Sequence, residues 1–156
     1  MYLLFLVKYS FYKHVKEFSK VAVVSDGLDH AIHVAMKNAD FPELPIYANK
    51  LHFVPDGIDM SWPHKNPHCK GGNGVCKCAV ADNLSGGEKP VVLIGDGKSD
   101  ACLAKSANVV FAKGSLIKYC EENNIPHIKF QTFADVLAKV KTWPKSGCHT
   151  LTTATA

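Results

Sequence analysis

The residues best placed to do chemistry lie in Val91-Val-Leu-Ile-Gly-Asp-Gly-Lys-Ser-Asp100. An apolar run enters a glycine and then an aspartate at the carboxyl end of what reads as a buried strand, where open α/β sheets bind ligands. Asp96 and Asp100 are four residues apart across a turn, which lets both carboxylates face one point. Gly95 and Gly97 leave room for a ligand or a backbone to approach closely. Two hard oxygen donors suit Mg²⁺, which takes few protein carboxylates and keeps several waters. A plain turn in which Ser99 caps the next helix accounts for Ser99, but not for an acidic pair after a buried strand.

A second run, Val21-Ala-Val-Val-Ser-Asp-Gly27, also ends in a small hydroxyl residue and a glycine. Ser25 can donate to a phosphate oxygen, and the amides near Asp26 and Gly27 add further donors. Ser-Asp-Gly is by itself an ordinary turn sequence; it gains weight from the partner strand that ends in Asp96. Lys77 opens a helix after a glycine-rich stretch, a place from which an ammonium can neutralise a bound phosphate. Taken alone it reads as one more solvated lysine.

These groups need strands and helices to hold them, and the chain alternates the two, as an α/β fold with a mainly parallel sheet requires. Strands are expected over residues 2–7, 20–24, 46–54, 90–94, 108–111 and 126–129, with a turn at Pro55-Asp56-Gly57. Helices are expected over 11–18, 29–39, 76–84, 99–106, 115–122 and from Thr132 onward, where Asp135 completes a capping signal. In the second helix Ile32, Ala35, Met36 and Ala39 share a face, and in the last Phe133, Val136, Leu137 and Val140 point inward. One domain spans 1–143, with an atypical segment over 1–19 and a hairpin and loop insertion over 46–75, and the Thr- and Ala-rich residues 144–156 form a disordered tail.

Length and composition narrow the function. The 156 residues are 47% hydrophobic and 21% charged, enough for a folded core. The formal charge of +4 comes from scattered lysines without a basic stripe, which argues against nucleic acid and leaves a small anion as the natural partner. Met1 to Val7 ends at Lys8, far shorter than a membrane span, with no positive n-region and no small-residue cleavage site after it, so a cytoplasmic protein without a membrane partner is expected. The six cysteines then read as reduced thiols. Cys69, Cys76 and Cys78 with His64 and His68 read as thiols and imidazoles of a loop beside the site, with zinc as the alternative.

The order Ser25-Asp-Gly, Lys77 and Gly-Asp96-Gly-Lys-Ser-Asp100 resembles the second, third and fourth motifs of the haloacid dehalogenase superfamily. Tyr47-Ala-Asn-Lys-Leu-His-Phe53, the Cys- and Gly-rich stretch before Lys77, and Asn108-Val-Val-Phe-Ala-Lys113 resemble its phosphoserine-phosphatase-like and methionine-salvage branch. The likeness covers about residues 14 to 143. It implies a Rossmann-like three-layer core with the N-terminal part and cap truncated, and Mg²⁺-dependent hydrolysis of a small phosphorylated metabolite. It further implies that Ser25, Asp26, Gly27 and Lys77 bind phosphate, that Lys77 and Asp96 are catalytic, and that Asp96 and Asp100 hold Mg²⁺ directly or through water.

The family's first motif, Asp-x-Asp on a central strand, has no counterpart, since no two aspartates here are two residues apart. In the family that strand lies between the strands of Ser25 and Asp96. Tyr2 to Val7 is therefore expected to fill the slot, bringing Lys8, Tyr9 and Ser10 to the nucleophile's place. Without the aspartate, phosphoryl transfer is expected to be impaired. A non-catalytic phosphate-binding protein, or a fragment of a longer phosphatase, is the alternative.

Overall fold

The computed structural model describes residues 2–69, 74–87 and 90–144. The expected disordered tail lies, apart from Pro144, outside the described residues. One parallel sheet joins β4 (Val92–Gly95), β5 (Val109–Ala112) and β6 (Ile128–Lys129), in that order. Register runs from Val92 opposite Val109 to Gly95 opposite Ala112, and Phe111 and Ala112 pair with Ile128 and Lys129. Parallel neighbours need a crossover between them. Here these are α4 (Ala101–Ala104), entered through a 3₁₀ turn at Lys98–Asp100, and α5 (Ser115–Glu122).

The two faces of this sheet are both covered, and the side-chain period of two sorts its residues between them. Leu93, Val110 and Ala112 pack with Leu103, Ala104, Leu116 and Cys120, and with Ala81 of α3 (Lys77–Ser85). Phe111, with Val109, Ile94 and Ile128, packs on the other side against Val136 and Val140 of α6 (Phe133–Val140) and Phe11 and Val15 of α1 (Tyr2–Val15). Phe111, Leu116, Val136 and Cys120 are fully buried; each of the three larger ones stabilises the fold by roughly 1.5–3 kcal/mol. The result is a three-layer α/β arrangement, as the sequence implies.

A second sheet joins β1 (Val23–Leu28), β2 (Ile46–Val54) and β3 (Gly57–Ser61). β1 runs parallel to β2, whereas β2 and β3 form an antiparallel hairpin from Lys50 opposite Ser61 to Val54 opposite Gly57. Between β1 and β2 lies α2 (Asp29–Asn38), whose start is tied to β2 because Asp29 Oδ1 accepts from the Leu51 amide at 3.1 Å. Of its expected inward face, Ile32, Met36 and Ala39 are half-buried and Ala35 is exposed.

Two expectations change. Residues 2–7 are not a strand in the central slot but the first turns of α1, which continues unbroken through the expected 11–18 helix to Val15. No glycine, proline or asparagine interrupts residues 1–18, and Phe11 and Val15, four apart, put one stripe against α6. A helix satisfies its own backbone and needs no neighbouring strand. Ser25, Asp26 and Gly27 also belong to β1 itself rather than to a turn beyond it, with a register irregularity between Val24 and Leu28.

Candidate functional site

The site is built around Asp100. Its Oδ2 accepts from the amides of Asp96 and Gly97, both at 3.0 Å, and its Oδ1 meets Lys77 Nζ at 2.6 Å. The Lys77 and Asp100 side chains are only 9% and 6% exposed, so each charge depends on the other for compensation. The carboxylate thus folds the loop after β4 back on itself and fastens it to the first residue of α3. Gly95 is dictated by this closure: a Cβ there would lie 2.6 Å from Asp100 Cγ. Gly114 has a similar reason, with φ +58° and a would-be Cβ 2.9 Å from the Asp96 carbonyl oxygen.

Asp96 is held by its backbone and left exposed by its side chain. Its carbonyl accepts from the Leu116 amide and Ser115 Oγ, each at 3.3 Å, while its amide is taken by Asp100. Asp96 lines a cleft of about 320 Å³ together with Lys8, Ile94, Gly95, Lys113, Phe130, Gln131, Thr132 and Phe133. Lys8 reaches this cleft from α1 and lies over the Phe133 ring, and Lys113 Nζ donates to the Gln131 carbonyl at 2.6 Å. Sequence reasoning missed Lys113 as a lining residue, and it brought Lys8 here on a strand rather than a helix. Of the other two residues expected beside it, Tyr9 packs edge-on against Phe41 and Ser10 is exposed.

The β1 residues enter from the other sheet. Asp26 Oδ1 accepts from the Val75 amide at 3.0 Å, two residues before Lys77, and the Asp26 carbonyl accepts from Asn49 Nδ2 at 2.7 Å. Asp26 therefore anchors the segment that delivers Lys77. Ser25 Oγ accepts from the Gly27 amide at 3.0 Å, and Gly27 is exposed. Asn49, which the sequence reading did not place at the site, is 8% exposed and its Oδ1 has no hydrogen-bond partner among the described residues. The only signal for it was its place in Tyr47-Ala-Asn-Lys50.

For a divalent cation Asp96 offers an exposed hard carboxylate, in keeping with an ion that takes one or two protein carboxylates and completes its shell with water and phosphate. Asp100 has both oxygens engaged, one by an ammonium. Among the described residues no three or more His, Cys, Asp or Glu side chains gather around a common point. That holds for Cys69, Cys76, Cys78, His64 and His68 as well. Cys78 instead meets Cys102, Sγ to Sγ at 3.0 Å, and burial, then the Cys102 hydrogen bond, push its thiol up to about 12.

Fold and side chains together define an open α/β protein whose acidic and basic groups collect at the carboxyl ends of parallel strands, linked through residues 75–77. No family model matches the chain. Curated relatives do. A 2-hydroxy-3-keto-5-methylthiopentenyl-1-phosphate phosphatase of Bacillus cereus is 37% identical over 120 residues, covering 76% of this chain and 54% of its own length. Proteins of the same name from an Exiguobacterium species and from Bacillus mycoides are 36% and 35% identical over 120 residues, again 76% of this chain and 55% and 54% of theirs. The resemblance to haloacid-dehalogenase-type phosphatases of methionine salvage, read from the motif order, is borne out by these relatives. The chain spans about half the length of the curated relatives it matches. Among the described residues no helix is long and apolar enough to cross a membrane.

Proposed function

We propose that this chain carries the phosphate- and Mg²⁺-binding part of a phosphomonoesterase acting on a small phosphorylated metabolite. The observation that carries the reading is the Lys77–Asp100 ion pair, which closes the loop after β4 and presents Asp96 at the strand end. The names of the relatives support phosphate-ester chemistry, and the small metabolite follows from the same names. When bound, Mg²⁺ would supply charge stabilisation for the phosphoryl oxygens. Asp96 would be its direct protein ligand. Asp100 would act through the Asp96 and Gly97 amides and through Lys77, keeping the loop in place. Lys77 would contribute its positive charge, and Ser25 with the Asp26–Gly27 amides would bind the phosphate oxygens.

A second reading rests on the absence of Asp-x-Asp from these 156 residues and on residues 2–7 forming the start of α1 rather than the strand expected to carry the nucleophile. In it the chain binds phosphate without hydrolysing esters. Hydrolysis of p-nitrophenyl phosphate and a panel of small phosphometabolites, with Mg²⁺, separates the two. Turnover that Asp96→Asn abolishes supports the phosphatase. A folded chain that binds Mg²⁺ and inorganic phosphate without turnover supports the binder. If neither ligand binds by calorimetry, both readings fall.

A further inference from the structure

Cys78 and Cys102 flank the ion pair without being part of it. Cys78 follows Lys77 on α3, and Cys102 lies two residues beyond Asp100 on α4. Both side chains are half-buried, so small solutes reach them, and their sulfurs are 3.0 Å apart. That distance separates a bond from a bridge. Two thiolates on a tetrahedral zinc with Zn–S near 2.3 Å stand roughly 3.8 Å apart, whereas a disulfide needs about 2.05 Å. No third metal-ligating side chain joins the two among the described residues. The gap between the sulfurs is thus too narrow for an ion, and about 1 Å of side-chain movement makes the bond.

We propose that Cys78 and Cys102 form an oxidisable dithiol whose disulfide clamps α3 to α4 beside the Lys77–Asp100 pair. The oxidant is a low-molecular-weight disulfide of the glutathione type. One cysteine thiolate attacks a sulfur of the oxidant, forming a mixed disulfide and expelling one small thiolate. The second cysteine thiolate attacks the protein-bound sulfur, forms the Cys78–Cys102 bond and expels the other. The two cysteine protons end on the two released thiols, so one disulfide is exchanged for another. Cys78 keeps its proton at neutral pH, because burial and the neighbouring Cys102 hold its thiol high. The exchange therefore accelerates as pH rises. Once formed, the bond keeps the helix bearing Lys77 against the helix that follows Asp100, a covalent tie beside the ion pair.

The test equilibrates the full chain in glutathione buffers from fully reduced to fully oxidised, traps free thiols by alkylation and maps tryptic peptides. Trypsin separates the two cysteines, because it cuts after Lys77, Lys98 and Lys105 but not between Lys89 and Pro90. Cys78 then sits in residues 78–98 and Cys102 in 99–105. The expected product is these two peptides joined, lost in Cys102→Ser, with a Tm that rises by several degrees on oxidation of the wild type and not of the variant. Two results overturn the proposal. One is both cysteines still alkylated in the fully oxidised buffer; the other is a bond that joins either to Cys69, Cys76 or Cys148. If Cys102→Ser does not fold, the peptide map of the wild-type chain decides alone.

Discussion

Removing one partner of the Lys77–Asp100 pair leaves the other charge buried, and the size of the effect can be worked from their contacts. Lys77→Met keeps the volume and leaves Asp100 Oδ2 with its two amide bonds, so only Oδ1 loses a partner. That loss belongs near the lower end of the range for a broken buried pair, about 3 kcal/mol. Asp100→Asn is worse. One amide oxygen replaces two carboxylate oxygens, while the Lys77 ammonium and the amides of Asp96 and Gly97 all still donate. Its cost is about 4–5 kcal/mol. In Lys77→Met with Asp100→Asn the asparagine oxygen can turn to the two backbone amides and its NH₂ faces methionine. The double variant therefore loses less than the sum of the singles by roughly 2–3 kcal/mol, far outside the additivity of independent sites. Urea unfolding at neutral pH, followed by far-ultraviolet circular dichroism with the slope held under scrutiny, gives all four corners. Lys77→Met alone should lower Tm by about 6–12 °C in a chain of this size. Singles that each cost under about 1 kcal/mol, or a double equal to their sum within roughly 0.5 kcal/mol, would refute the buried-pair reasoning.

The glycines and the last helix offer two further checks. Gly95→Ala drives a methyl into Asp100 Cγ at 2.6 Å, whereas Gly97→Ala meets Asp100 Oδ2 only at 4.0 Å. Urea midpoints should show a loss of about 1–3 kcal/mol for the first and little change for the second. Thr132 Oγ1 accepts from the Ala134 amide, so Thr132→Ala should cost about 1 kcal/mol in the same assay. The Thr132 amide, then the Gln131 amide, hold the Asp135 carboxyl below its ordinary 3.8. Its contribution to stability is full above that value and lost as pH falls through the lower folded one. A Tm scan in acid should therefore show a shallower decline for Asp135→Asn than for the wild type; parallel curves would remove Asp135 from the cap.

The strand-and-helix order of residues 90–140 was legible because each apolar run is short, bounded by turn residues and buried on both faces, so pattern and packing agree. The hairpin at Pro55-Asp56-Gly57 and the Thr132–Asp135 cap were legible for local reasons: the residues that make them are neighbours. Residues 2–7 were not. Six apolar residues have no period that tells strand from helix, and the choice turned on a slot between two strands rather than on the run through Phe11 and Val15. At the site, spacing alone made Asp96 and Asp100 look like equal ligands. It could not show that Asp100 turns back onto the amides of Asp96 and Gly97 while Asp96 faces out. Asn49 beneath Asp26 and Cys78 against Cys102 join residues more than twenty positions apart, a kind of contact that no local pattern announces.

The packing of α1 against α6 also sets a timetable for synthesis. Phe11 and Val15 emerge from the ribosome ahead of Phe111, Phe130, Val136 and Val140, which cover them and follow roughly 100–130 residues later. At about 5–20 residues per second that is a wait of roughly 5–25 s. During it the nascent chain displays an apolar helix face with nothing to receive it, the kind of surface that chaperones bind. α1 is thus made well before it is buried, and a chain halted before α6 would leave that face uncovered.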